Sequence, residues 1–218
     1  MRYCWIGLGT GILLAAIWWQ VCGLGTESQI GHILVVLLTS LQALGGYWLG
    51  SHLERMKKMA YHDSLTGVLV NRRFFELMQQ EVERARRNDY TVTLMVIDLD
   101  YFKQYNDCYG HVAGDRVLVK FAQLLRDNVR GQDLVGRWGG EEFVVLLPHT
   151  DTEQGLAVGN RIQHNVRRLM PEITVSIGLA TFPSHATCAD DLCQRADALM
   201  YEAKKKRDCM QSPIIETS

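Results

Sequence analysis

The sequence predicts an α/β (α+β) domain, one central sheet flanked by helices, preceded by two transmembrane helices. Three observations carry this. From about residue 71 to residue 206, stretches of helical apolar periodicity alternate with strand-like runs. A Gly139-Gly140 pair separates two such runs, residues 135–138 and 143–147, and reads as a tight hairpin turn with positive φ at both glycines. A hairpin inside the sheet requires mixed or antiparallel pairing rather than a doubly wound arrangement. Ahead of all this, residues 4–25 and 30–50 carry no charged side chain, and each is about as long as a bilayer-spanning helix.

Only Thr26-Glu27-Ser28-Gln29 separates the two apolar stretches, and Trp18, Trp19, Tyr47 and Trp48 lie near their ends, where interfacial aromatics belong. A signal peptide is the rival for the first stretch, but the stretch exceeds a typical apolar signal core and a second follows at once. Arg2 lies before the first span and Arg55, Lys57 and Lys58 after the second, so the positive-inside rule puts both ends in the cytoplasm and makes the lipid bilayer a partner. Leu53, Met56 and Met59 continue at helical spacing, which predicts a connecting helix over residues 51–60.

The remaining elements follow in order. Residues 71–88 form an amphipathic helix with Phe74, Phe75, Leu77, Met78 and Val82 inward. Residues 91–99 are a strand, 101–106 a short helix and 115–128 a second amphipathic helix. The hairpin occupies residues 134–148, and a helix with an acidic first turn runs from 151 to 168. A strand over 173–182 and a helix over 190–206 complete the domain, and residues 209–218 are expected to be a disordered tail.

Composition excludes several classes. Of 218 residues, Lys and Arg number 23 against 24 Asp and Glu, so there is no basic footprint for nucleic acid. Six cysteines in no CxxC or Cys/His pattern read as reduced thiols rather than a zinc site. The chemistry lies in carboxylates. Glu141 and Glu142 follow the Gly-Gly pair, at the rim of a rigid hairpin where glycine lets a bulky ligand approach the backbone. Asp98 closes the apolar run 94–97, where a carboxylate is costly without a partner, and Asp98 and Asp100 are expected to point to opposite strand faces, so that at most one faces the site of Glu141. Mg²⁺ is held by one or two carboxylates plus substrate phosphates, so Asp98 with Glu141 predicts a metal–phosphate site.

Six motifs at fixed separations then carry a resemblance. They are Asp63-Ser64-Leu65-Thr66-Gly67 with Asn71-Arg72-Arg73; Asp98-Leu99-Asp100-Tyr101-Phe102-Lys103 with Asn106-Asp107; Gly110-His111-Val112-Ala113-Gly114-Asp115; Arg137-Trp138-Gly139-Gly140-Glu141-Glu142-Phe143; Thr174-Val175-Ser176-Ile177-Gly178; and Ala196-Asp197 with Tyr201, Ala203 and Lys204. Together they resemble the GGDEF family, the diguanylate cyclases, over residues 61–208. The resemblance implies a palm-like domain with a mainly antiparallel sheet; taken with the two apolar spans, it predicts a protein of the bacterial inner membrane. It implies condensation of two GTP into cyclic di-GMP and pyrophosphate by a homodimer, since one site holds one GTP. Asp98, Glu141 and the Leu99 carbonyl would bind Mg²⁺ (or Mn²⁺), with Glu141 and Glu142 as catalytic carboxylates. Asn106 and Asp115 would read guanine; Phe102, Lys103 and Lys204 would meet the triphosphate beside Gly139 and Gly140. Arg130 and Asp133 match the family's RxxD site for product inhibition. One departure stands out: Arg207-Asp208-Cys209 replaces the family's Gly-Arg-Asn. It opens the alternative of an inactive domain that only binds cyclic di-GMP.

Overall fold

The computed structural model describes Ala16 and residues 29–213, in two compact units divided between Ala60 and Tyr61. In the first unit one continuous helix, α1 (Gln29–Tyr61), covers the expected second span and connecting helix. No helix among the described residues is long and apolar enough to cross a membrane. This corrects the expected inner-membrane localisation and the span over residues 30–50. Within that stretch His32, Thr39, Ser40 and Gln42 interrupt the apolar run, and α1 continues through Glu54-Arg55 and Lys57-Lys58 without a break. The expected first span lies outside the described residues.

The second unit is a six-stranded sheet with helices on both faces. Its elements are β1 (Leu69–Val70), α2 (Asn71–Asn88), β2 (Val92–Asp100), α3 (Phe102–Tyr109), α4 (His111–Asp127), β3 (Leu134–Arg137), β4 (Glu142–Pro148), α5 (Thr152–Leu169), β5 (Thr174–Phe182), α6 (Ala189–Lys206) and β6 (Met210–Gln211). Strand order is β1-β3-β4-β2-β5-β6. The four central strands pair antiparallel, and the two short outer strands add parallel edges.

Period-two alternation along β2 and its neighbours separates two cores. Met95, Ile97, Leu99, Phe143, Val145 and Ile177 pack against α4 and α5 through Leu118, Phe121, Ile162 and Val166. Leu94, Val96, Val144, Leu146 and Ala180 pack against α2 and α6 through Phe74, Met78, Val82, Leu192 and Met200. β2 is buried over its whole length, as a central strand covered on both faces must be. α5 starts with a capping box in which Asp151 accepts from the Gln154 backbone at 2.8 Å and the Gln154 side chain accepts from the Asp151 backbone at 3.3 Å.

Three expectations are corrected. α4 begins at His111, four residues earlier than expected, so Asp115 lies inside the helix and does not cap it. The tail expected to be disordered from residue 209 instead contributes β6, because Met210 packs over the small surface of Gly159 and Ile177 donates to the Cys209 carbonyl at 3.0 Å. Residues 214–218 lie outside the described residues. Neither Gly139 nor Gly140 adopts left-handed backbone; Gly67 and Gly110 are the glycines with positive φ among the described residues. The chain needs four residues, 138–141, to turn between β3 and β4.

Candidate active site

The turn is held by Arg137, whose role the sequence reading missed. Its guanidinium donates to the carbonyls of Gly139 (3.1 Å) and Gly140 (2.6 Å) and to Asp63 Oδ1 (3.1 Å). Asp63 also accepts from the Thr66 backbone and hydroxyl. Burial opposes ionisation there, but these hydrogen bonds outweigh it and hold the Asp63 carboxyl below the usual carboxylate range. An Arg immediately before a Gly-Gly turn, with an Asp far upstream, was the signal available. A Cβ on Gly139 would lie 2.7 Å from Glu142 Oε2, the far end of a side chain that can swing aside, while Gly140 faces open space, leaving its backbone accessible.

Asp98 is wholly buried at the end of β2 and stands directly opposite Glu142 of β4 in the antiparallel ladder. Lys204, from the last turn of α6, sits 2.7 Å from Asp98 Oδ2 and 4.0 Å from Glu141 Oε1. Asp98 Oδ1 is buried with no partner. The Leu99 N–H donates to the Glu141 carbonyl at 3.3 Å and ties the turn to β2. The expectation that Asp98 and Asp100 face opposite ways is corrected: two residues apart, they share one strand face, so pleat alternation does not separate their roles. Hydrogen bonding does. Asp100 is saturated by Thr174 (2.7 Å), Ser176 (2.7 Å) and the Asp208 backbone (2.9 Å), whereas Asp98 keeps a free oxygen.

Burial raises the carboxyls of Asp98, Glu141 and Glu142, and the Asp98 charge raises both glutamates further. For Lys204 burial favours the neutral amine, but the Asp98 hydrogen bond and the surrounding carboxylates win and raise its pKa. Lys204 pulls Asp98 the other way, yet burial and Asp100 prevail there: one ammonium does not offset so many acids. Exchanging Glu142 for Gln should therefore raise Tm in chelator at neutral pH. A carboxylate whose folded-state pKa is raised costs stability above that pKa, and the cost fades as pH falls through it. The gain should shrink as pH falls through the folded-state titration of Glu142, which burial and the Asp98 charge lift above the usual carboxylate range. Thermal melts of both proteins across that range check this; a lower Tm at neutral pH would mean Glu142 contributes a favourable contact.

Beside these carboxylates opens a recess of about 420 Å³, lined by Phe102, Lys103, Asn106, Asp107, His111, Asp115, Leu118, Arg137, Gly140 and Glu141. It thus collects residues from α3, α4 and the hairpin. Asn106 and Asp115 approach because α3 and α4 nearly touch at Gly114, where a Cβ would collide with Asn106 Oδ1. Asn106 Oδ1 is buried without a partner. Lys103 and Asp115 are exposed at the mouth, and Phe102 is buried beneath.

Arg130 and Asp133 are not brought into this recess. They line a second one, of about 340 Å³, with His62, Gly67 and Arg126. The stretch is a turn: Asp133 N–H donates to the Arg130 carbonyl (3.0 Å), and Asp133 Oδ2 accepts from the Arg130 N–H (2.7 Å). Asp133 Oδ1 stays buried and unpartnered, and burial raises its carboxyl.

The departure after α6 has a physical consequence. Asp208 turns to Arg167, whose Nε lies 3.0 and 2.9 Å from the two carboxylate oxygens. Arg207 adopts φ 61°, ψ 161°, a conformation that favours glycine, and its guanidinium lies 3.6 Å from the centre of the Tyr101 ring, at the start of α3.

Residues 60–209 match the family described as diguanylate cyclase, GGDEF domain. Diguanylate cyclase DgcM of Escherichia coli K12 is 40% identical over 157 residues, which cover 69% of this chain and 38% of that protein. The chain thus spans well under half the length of that relative. The GGDEF domain of PA1120 from Pseudomonas aeruginosa superposes with TM-score 0.64 at 33% identity, covering 67% of this chain and 97% of that one. The GGDEF domain of DgcB from Caulobacter crescentus, in complex with c-di-GMP, gives TM-score 0.65 at 28% identity, covering 70% and 93%. With its palm-like mixed sheet and a family match over more than half its length, the chain belongs to the GGDEF diguanylate cyclase domain family.

Proposed function

We propose that the chain is a diguanylate cyclase that condenses two GTP molecules into cyclic di-GMP and two pyrophosphates. The observation that carries this is one recess lined by Asn106 and Asp115, suited to a guanine edge, and by Glu141, which Lys204 links to the buried Asp98 beside it. Asp115 accepts from ring N–H groups, and Asn106 supplies both a donor and an acceptor. Lys103 and Lys204 supply cationic donors for phosphate oxygens, and the open backbone at Gly140 lets the triphosphate lie close to the turn.

The donor set fits a hard divalent cation. Among the described residues no three His, Cys, Asp or Glu side chains converge, but two oxygen-donor carboxylates with a backbone carbonyl suit Mg²⁺ or Mn²⁺ that also takes phosphate oxygens. The unpartnered Asp98 Oδ1 is a donor in want of such a ligand. Asp98, Glu141 and the Leu99 carbonyl would hold it, and when bound it neutralises phosphate charge. The protein's own part is positioning. Each 3′-hydroxyl oxygen attacks the other nucleotide's α-phosphorus, the hydroxyl proton leaves, and the bond to pyrophosphate breaks. In this reading Glu141 favours removal of that proton, and Glu142 supports it from the strand. One recess holds one nucleotide, so two chains must meet face to face as a homodimer.

Incubating the full chain with GTP and Mg²⁺ and quantifying both products tests the reading. Two pyrophosphates per cyclic dinucleotide are expected; GTP binding without product would overturn it. That outcome would favour a second reading, a cyclic di-GMP receptor, for which Asp208 facing Arg167 instead of a phosphate is the specific observation.

Product inhibition belongs to the same proposal. Arg130 can pair bidentately with guanine O6 and N7, and the free Asp133 Oδ1 can accept guanine N–H. Arg130→Ala should raise the inhibition constant for cyclic di-GMP about tenfold to a hundredfold, from a contact of roughly 1–3 kcal/mol. An unchanged constant would remove Arg130 from that role.

A further inference from the structure

We propose that Lys204 is a resident counter-ion that keeps a divalent cation off the Asp98–Glu141 pair until a nucleoside triphosphate draws it away, so that metal and nucleotide enter together. The proposal rests on the active-site reading above.

A wholly buried carboxylate must be compensated, and Asp98 is compensated on one oxygen only. The Lys204 ammonium lies between the two carboxylates assigned to the ion, at 2.7 Å from Asp98 Oδ2 and 4.0 Å from Glu141 Oε1. Glu142, opposite Asp98 in the ladder, adds to the negative field that holds it there. A divalent ion bound by the same pair would press against that ammonium, and like charges at such range in a half-buried site repel strongly. Without another anion, lysine and ion therefore compete for Asp98.

Lys204 is also free to leave. Its side chain is 41% exposed, at the end of a flexible four-carbon stem on the last turn of α6. A triphosphate in the neighbouring recess offers it oxygens of higher charge density and brings the ion further ligands. Releasing Asp98 Oδ2 then makes the two bindings mutually favourable, and such coupling is reciprocal. If Lys204 did not oppose the ion at Asp98, its removal would change stability and leave metal affinity where it was.

The test counts bound Mn²⁺ by electron paramagnetic resonance on the full chain. It is done alone and with 3′-deoxy-GTP, which lacks the attacking hydroxyl, against nucleotide-only controls. The wild-type chain should bind Mn²⁺ weakly alone and about tenfold more tightly with nucleotide, within the usual range of coupling. Lys204→Gln should bind Mn²⁺ alone about tenfold more tightly than wild type and lose most of that coupling, while Lys204→Arg should keep the weak binding. Unchanged or weaker Mn²⁺ binding by Lys204→Gln overturns the proposal. So does a wild-type chain that binds Mn²⁺ equally well with and without nucleotide, an outcome that needs no variant to fold. Glu141→Gln separates the two readings. If that variant keeps the nucleotide-dependent Mn²⁺, the active-site reading falls; if it loses the ion while Lys204→Gln shows no tightening, only the role of Lys204 falls.

Discussion

Glu141→Gln should abolish cyclic di-GMP formation, by at least about a hundredfold, while leaving the fold intact. Removing one preorganised charge-stabilising group from an active site costs on the order of 10²–10³ in rate. Glu141 lies in the turn between β3 and β4, half-buried, with its carboxylate directed at Lys204 rather than into either apolar core. Glutamine keeps the shape and removes the charge. Because burial and Asp98 already raise this carboxyl, neutralising it relieves repulsion in the metal-free protein, so Tm should hold or rise. Product formation and thermal melts measured on the same preparation check both halves. Near-normal turnover would remove Glu141 from the chemistry, and a large fall in Tm would make it a structural residue of the hairpin.

The order of helices and strands was legible because period-two and helical apolar patterns persist over most elements of residues 71–206. What local pattern could not supply was distance in the chain. Asp98 was readable as a costly strand-end acid, but Lys204 came from the family resemblance only as a triphosphate contact, and its pairing with Asp98 was not legible because 106 residues separate the two. The Gly-Gly pair was read as a positive-φ turn. The Arg137 guanidinium instead gathers the carbonyls of Gly139 and Gly140, and this holds a wider turn with ordinary backbone. Asp100 could not be told from Asp98 by spacing, because residues two apart face the same way; Thr174 and Ser176 on the neighbouring strand decide it. β6 was invisible because two residues after a lysine run carry no periodicity, and its pairing depends on the small surface of Gly159. The apolar stretch over residues 30–50 misled in the other direction, since its length, lack of charge and flanking aromatics read as a span, and no helix among the described residues is long and apolar enough to cross a membrane.

Gly178→Ala should be the most damaging single change for stability, and it should reach the active site through α6. Gly178 lies on the face of β5 that carries Ala180 and packs on α6. A Cβ there would collide with the Ala196 carbonyl oxygen and the Met200 nitrogen, and would fall 2.8 Å from the Leu199 carbonyl carbon. All three are backbone atoms of a hydrogen-bonded helix, so no rotamer change relieves the clash. α6 must move off the sheet. Its close approach depends on small residues on both sides, with Ala196 and Ala203 wholly buried on the helix. Overpacking of a well-packed core costs typically 1–3 kcal/mol and more where backbone must shift, and this site belongs at the upper end. For a domain of this size, about 3 kcal/mol corresponds to a fall in Tm of roughly 6–12 °C. The displacement also carries Lys204 away from Asp98, so Mn²⁺ and nucleotide binding should change together with stability. Gly131→Ala is the control, because no heavy atom lies within 4 Å of its Cβ position. Thermal melts of the two variants decide the matter. A Tm for Gly178→Ala within about 2 °C of wild type, less than 1 kcal/mol of destabilisation, would mean that α6 does not rest on β5 through backbone contact. The placement of Lys204 would then need another cause.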